Sequence, residues 1–134
     1  MDTPKKYNKA RIVPNKQAAG IKLGSCKATM IKHLGEPVTI EHISSHSERL
    51  EYDDVNVWIE SGKVDQISVC HFYEGTTREG IGLGSTKTEV EDVYGAIEWD
   101  GTWSIQVPPF GIGFDFEHDL TGEQCVTEIF VFSQ

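Results

Sequence analysis

The chain has no apolar run approaching the ~18–20 residues that a membrane-spanning helix needs, and its opening segment, Met1-Asp2-Thr3-Pro4-Lys5-Lys6, has no apolar core of a signal peptide. The expectation is a chain with no membrane span and a cytoplasmic location. Cysteine is scarce and odd in number. Cys26, Cys70 and Cys125 lie far apart, whereas a disulfide framework uses an even, closely spaced set. Reduced thiols are therefore expected, with Cys70 and Cys125 as small core residues. Metal and nucleotide motifs are missing as well. No HExxH is present, and the glycines at 80, 82 and 84 fit no phosphate-binding fingerprint. No cofactor or metal is implied.

Positive charge is missing from one half. From Gly80 onward Lys87 is the only Lys or Arg, against ten Asp and Glu. Residues 1–16 show the reverse, with Lys5, Lys6, Lys9, Arg11 and Lys16 against Asp2 alone. The whole chain carries −9 at neutral pH. Such a field repels nucleic acid and speeds encounter with a basic protein.

What is present is an internal echo. Gly20-Ile21-Lys22-Leu23-Gly24-Ser25-Cys26-Lys27 returns as Gly80-Ile81-Gly82-Leu83-Gly84-Ser85-Thr86-Lys87, an offset of 60. The agreement runs on through Met30/Val90, Leu34/Tyr94 and Gly35/Gly95, and a fixed period of this kind marks repeated structural units. In the first copy Ser25 is expected to cap a helix of about nine residues, with Met30, Ile31 and Leu34 as its apolar stripe. Gly35 and Pro37 end it. In the second copy Ser85, or Thr86 with Glu89 as a capping box, starts a helix that ends at Gly95.

Alternating residues predict strands between these helices. In the first copy they fall at 38–43, across Leu50 to Ile59, and from Val64 to Phe72; in the second at 103–107, 112–116 and 126–131. Val126 to Val131 aligns with Val64 to Val69 at an offset of 62, and the hairpin loop from His118 to Gln124 is longer than the turn after Glu60. The fold class that follows is α+β. It is a tandem repeat of a short helix and an antiparallel β-meander, with the helices packed on one face of the sheet. The expected organisation is a mobile basic arm over 1–18, a first repeat over 19–75 and a second over 76–134, sharing one core. A short edge strand at Arg11-Ile12-Val13 is expected within the arm.

Leu23-Gly24-Ser25, Lys27 and Leu34-Gly35-Glu36-Pro37 resemble the front of the SmpA/OmlA outer-membrane assembly lipoproteins, which carry a Gly-hydrophobic-Thr-Lys helix start and a Leu-Gly-x-Pro end. Placed in tandem, such units are similar to the β-lactamase-inhibitor-protein fold. The resemblance implies protein binding rather than catalysis, and transfers no individual residue role.

Among residues that could carry chemistry, Cys26 stands at a helix N-terminus, where a thiolate gains stability. His33, His42, His46 or His71 could serve it as a base. The equivalent residue 86 is Thr, so a small capping residue is the favoured reading. His42 and His46 read as solvated loop histidines and Trp58 as core. Surface signals favour recognition instead. Asp53, Asp54, Glu98, Asp100, Asp115, Glu117 and Asp119 supply acid, and Trp99 and Trp103 supply aromatic anchors in a loop-like stretch. The expectation is a non-enzymatic binding module, in its most concrete form an immunity protein or inhibitor masking a basic toxin or enzyme with these residues. The alternatives are an envelope assembly or scaffold protein of the SmpA/OmlA type and a thiol-dependent enzyme using Cys26.

Overall fold

Alternation along the strands decides which way the sheet faces. In a strand successive side chains point to opposite sides, so Val55, Val57 and Ile59 share one face and Asn56 and Trp58 the other. The computed structural model describes residues 6–95, 104–107 and 110–133. A 3-10 turn at Lys6–Lys9 leads to a two-stranded ribbon of β1 (Gln17–Ala18) and β2 (Ile21–Lys22). Helix α1 (Lys27–Leu34) follows, then β3 (Thr39–His42), β4 (Ser47–Glu51), β5 (Val55–Glu60) and β6 (Lys63–Cys70). Helix α2 (Lys87–Tyr94) precedes β7 (Ser104–Val107), β8 (Ile112–His118) and β9 (Gln124–Phe132).

The seven longer strands form one antiparallel sheet in the order β3-β4-β5-β6-β9-β8-β7. The class is α+β, as the alternation indicates. A cross-strand row on the inner face runs Leu50, Val57, Ile67, Val131, Ile112, and all five side chains are fully buried. Burial of each is worth about 1.5–3 kcal/mol. Met30 and Leu34 of α1, Val90 of α2, and Ile12, Ala18, Ala19 and Ile21 from the N-terminal segment join the same core.

Both helices start and end alike. Gly24 N–H donates to the Val64 carbonyl (2.8 Å) and Val64 N–H to the Ser25 carbonyl (2.9 Å); Gly84 and Val126, then Val126 and Ser85, make the same bonds at 2.9 and 2.8 Å. Gly24 and Gly84 hold positive φ of 87° and 90°, a conformation that glycine adopts without strain. Isolated bridges Cys26↔Lys63 and Thr86↔Cys125 repeat the pattern. At the far ends, Gly35 and Gly95 each donate to the carbonyl four residues back, at 2.7 Å.

The cap of α1 differs from the sequence expectation, and that of α2 is the second of the two alternatives expected. The N-cap of α1 is Cys26, not Ser25, and its side chain makes no capping bond. Thr86 caps α2 in a full capping box with Glu89, while Ser85 Oγ instead accepts from Gly82 N–H (3.0 Å). The slot is one residue later than the first seryl hydroxyl suggests, because the Ser25 and Ser85 backbones are engaged in the strand-like bonds to Val64 and Val126.

Residues 6–18 correct the reading of a mobile arm. Ile12 is 1% exposed, and its N–H donates to the Thr76 carbonyl (2.9 Å) rather than to a strand. Only Val13 of the expected edge strand pairs, in a bridge to Gln17. Tyr73 clamps this segment: its hydroxyl donates to the Ala10 carbonyl (2.6 Å) and accepts from Ala19 N–H (3.0 Å). Apolar Ile12, Ala18 and Ala19 supply the burial that a lysine-rich composition conceals.

Strand β3 also departs from expectation, because all four of its residues are exposed. It lies at the edge, three strand spacings or about 14 Å from β6. Helix α1 packs over β6 and, at about 10 Å wide, does not reach that far.

Removing the Tyr73 hydroxyl should strand two backbone groups at once. Tyr73→Phe is expected to lower stability by about 1–3 kcal/mol, read as a shift in urea midpoint at constant m-value. A change within experimental error would show that the clamp contributes nothing.

Candidate functional site

No described element lies across the outer face of the sheet. Its side chains fall in three rows set by strand register. The first runs Glu41, Arg49, Trp58, Gln66, Phe132, and the second Thr39, Glu51, Asn56, Ser68, Phe130. The third runs Cys70, Glu128, Asp115. Trp58 therefore stands half-buried beside Phe130, ring centroids 6.3 Å apart, and not in the core where the sequence reading puts it. β-Sheet parity puts it opposite Val57 and Ile59, which leaves it no other side to face.

Carboxylates surround these aromatics. Arg49 donates to Glu51 (3.0 Å) and lies 3.4 Å from Glu41, so its charge is answered within the face. Ser68 Oγ–H donates to Glu128 Oε2 (2.6 Å), and Asp115 is the register neighbour of Glu128. Burial, with a smaller contribution from Asp115, raises the Glu128 pKa despite the Ser68 bond. Burial pushes the Cys70 thiol up to about 12, helped by Glu128, Asp54 and Glu51, so it stays protonated and is a poor nucleophile.

Two depressions open along this side. One, of about 460 Å³, is lined by Arg49, Glu51, Asn56, His71, Glu117 and Glu128 among others. Its neighbour, about 420 Å³, has Val38 and Phe72 with Asp53, Asp54 and the shared Glu51 and His71. Phe72 is 83% exposed and Val38 69%. His71 holds a positive φ of 55°, and its Nδ1–H donates to the Asp53 carbonyl (2.6 Å), which ties the end of β6 to the β4–β5 turn.

The acids named from sequence separate into three kinds. Asp53, Asp115 and Glu117 lie at the outer face and its rim. Asp54 is a correction: it is 5% exposed and accepts from Phe72 N–H (3.3 Å) and, more weakly, from Asn8 Nδ2 (3.5 Å), so it braces two loops. Asp119 sits in the hairpin loop, away from the depressions. Its Oδ1 accepts from Thr121 N–H (2.8 Å), Thr121 Oγ (2.6 Å) and Glu123 N–H (3.0 Å). The Thr121 bonds lead in lowering its pKa. Glu98, Trp99, Asp100 and Trp103 lie outside the described residues.

Sequence reasoning missed Glu51, Glu128, Asn56 and the aromatic trio Trp58, Phe130, Phe132. A signal for the trio existed. Phe130 and Phe132 alternate with Ile129 and Val131, and a strand apolar on both faces has a second surface to cover. The candidate chemistry elsewhere is sparse. Cys26 is exposed, and His42 and His46 lie by Glu48 (3.6 Å) and Glu60 (3.4 Å). Among the described residues no three His, Cys, Asp or Glu converge to hold a metal ion, and no helix is long and apolar enough to cross a membrane.

No protein family's sequence pattern matches the chain, and no curated protein matches it. Among solved structures it is similar to a cysteine-rich secretory protein from Staphylococcus aureus subsp. aureus Mu50, with 11% identity and a TM-score of 0.57. The alignment covers 92% of this chain and 49% of that one. At this identity the likeness shows the fold alone.

Because the folded state raises the Glu128 pKa, the native protein binds that proton more tightly than the unfolded chain does. Stability should fall as pH rises through the window between the ordinary glutamate value and the raised one. Glu128→Gln, which can still accept from Ser68, is expected to flatten this part of the pH–stability curve and to raise the melting temperature at neutral pH more than at acid pH. Parallel curves for the two proteins would contradict the assignment.

Proposed function

We propose that the protein is a non-enzymatic binding module that masks a basic protein with the outer face of its sheet. In its most concrete form it is an immunity protein or inhibitor of a cationic toxin or enzyme. The observation that carries this reading is one sheet face, crossed by no element among the described residues, with Trp58, Phe130 and Phe132 at its centre and Glu51, Asp115, Glu117 and Glu128 around them. Aromatic anchors ringed by polar groups are the usual anatomy of a protein interface. The charge of −9 favours fast, salt-sensitive encounter with a cationic partner.

The same reading takes the two halves as copies of one unit. Its support is the recurrence of the helix-start bonds at offsets of 60 and 62 and the β6–β9 register. That register sets Ser68 opposite Phe130, residues that are themselves 62 apart, as a pseudo-twofold axis through that pair requires. Three free cysteines fit a reducing compartment. The thiol-enzyme alternative has less support, since among the described residues no side chain hydrogen-bonds Cys26.

The product of the adjoining reading frame is the natural first partner to try. Purified together, the two should form a complex whose association rate drops at least about tenfold when salt rises from about 50 to about 300 mM. Joint Trp58→Ala and Phe130→Ala replacement should weaken the complex roughly a hundredfold or more. No complex with that product or with any of a panel of purified basic nucleases, or a complex indifferent to both changes, would refute the reading.

A further inference from the structure

The depression between β4, β5, β6 and β9 is built differently from the rest of the outer face. Asn56 Oδ1 is buried there without a hydrogen-bond donor, and so is Arg49 Nε without an acceptor. A buried polar atom left unpaired costs about 1–3 kcal/mol, so native structures seldom keep one without a reason. Asn56 Nδ2 is placed toward Ser68 Oγ (3.3 Å) and more weakly toward Cys70 Sγ (3.9 Å). Exchanging the amide ends offers Oδ1 only the weak Cys70 thiol at 3.9 Å and gives up the bond to Ser68 Oγ, whose own proton is committed to Glu128 at 2.6 Å. Of the two orphans, Asn56 Oδ1 is an acceptor, which a donor from outside would satisfy, and Arg49 Nε is a donor, on a side chain whose charge Glu51 and Glu41 already answer.

The charges around it define that donor. Glu51, Glu117 and Glu128 line the depression with Arg49 as the one permanent cation among its lining residues, and Arg49 is already bonded to Glu51 and close to Glu41. Ser68 occupies one oxygen of Glu128 and leaves the other. A planar cation with several N–H groups answers a carboxylate oxygen and an amide oxygen together, which a hydrated ammonium does less well. The volume, about 460 Å³, lies within the range of small-ligand sites. Next to it stand the exposed apolar walls Val38 and Phe72 of the neighbouring depression, where the rest of a bound segment can bury apolar surface.

We infer that this depression seats one arginine side chain of the partner, its guanidinium between Glu128 and Asn56 Oδ1. The inference rests on the reading of the outer face as a surface for a basic protein, and makes this point its charged anchor. Raised by burial, the Glu128 pKa is consistent with a carboxylate awaiting a counter-charge, though the geometry carries the argument.

N-acetyl-arginine amide is a direct probe, with the isosteric but uncharged N-acetyl-citrulline amide as its control. Titrated into the ¹⁵N-labelled protein, the arginine compound should shift the Asn56 side-chain amide and the Ser68 and Glu128 backbone amides saturably, and the citrulline compound should not. Glu128→Gln and, separately, Asn56→Leu should each weaken this binding at least about tenfold, while urea midpoints establish that both variants fold. Equal response to the two compounds, shifts centred elsewhere, or binding unchanged in folded variants would overturn the inference. If the probe fails while the partner complex still depends on Trp58 and Phe130, the anchor is wrong and the docking face stands. If that complex also fails to form, the functional reading falls with it.

Discussion

Pairing of β6 with β9, from Gln66↔Phe132 to Cys70↔Glu128, is the constraint on which the rest of the molecule depends. Each half builds its own run of strands, and neither has a closed sheet or a complete core. The seam joins them at the centre of a seven-stranded sheet, so that Ile67 meets Val131 inside and Ser68 meets Phe130 outside. Helix α1 rests over β6 and α2 over β9, which places both short helices beside the seam. Eight-residue helices have little stability of their own. They persist because Met30, Leu34 and Val90 are buried against strands that the seam brings together.

The seam also makes the outer face. Residues about sixty positions apart become neighbours there, and groups that are unremarkable in sequence acquire consequences. Glu128 would be an ordinary surface acid on an isolated hairpin. Set across from Cys70 and bonded to Ser68, it loses solvent and holds its proton more strongly. Cys70 is pressed in the same direction, to about 12, and is removed from thiolate chemistry. The sheet thus concentrates acid on a face already bearing aromatics, while α1, α2 and the N-terminal segment pack on the other, short of the edge strand β3.

Local features were the legible ones. Gly24-Ser25 and Gly84-Ser85 announce helix starts because a positive-φ glycine acts within a few residues, and alternation in Val55 to Ile59 announces a strand. Features decided by distant partners were not legible. Nothing near Ile12 says that Thr76 will accept its N–H. Nothing near Asp54 says that Phe72 N–H will bury it, and an acid pair reads as solvent-exposed until that donor is known. Trp58 reads as core from the sequence, whereas parity with Val57 puts it outside. Of the acids named in advance, Asp53, Asp115 and Glu117 reach the candidate face. Glu51 and Glu128 were passed over because their convergence requires β4, β5, β6 and β9 in order.

On the reading proposed above, the outer face of the sheet, and not its helical side, is the surface that meets a partner. Hydroxyl-radical footprinting of the protein alone and with a basic protein that binds it separates the two faces. Protection should be confined to Trp58, Phe72, Phe130 and Phe132, with the α1 and α2 side chains unchanged. Protection of Lys27–Leu34 and Lys87–Tyr94, with Trp58 and Phe130 as reactive as in the free protein, would contradict it.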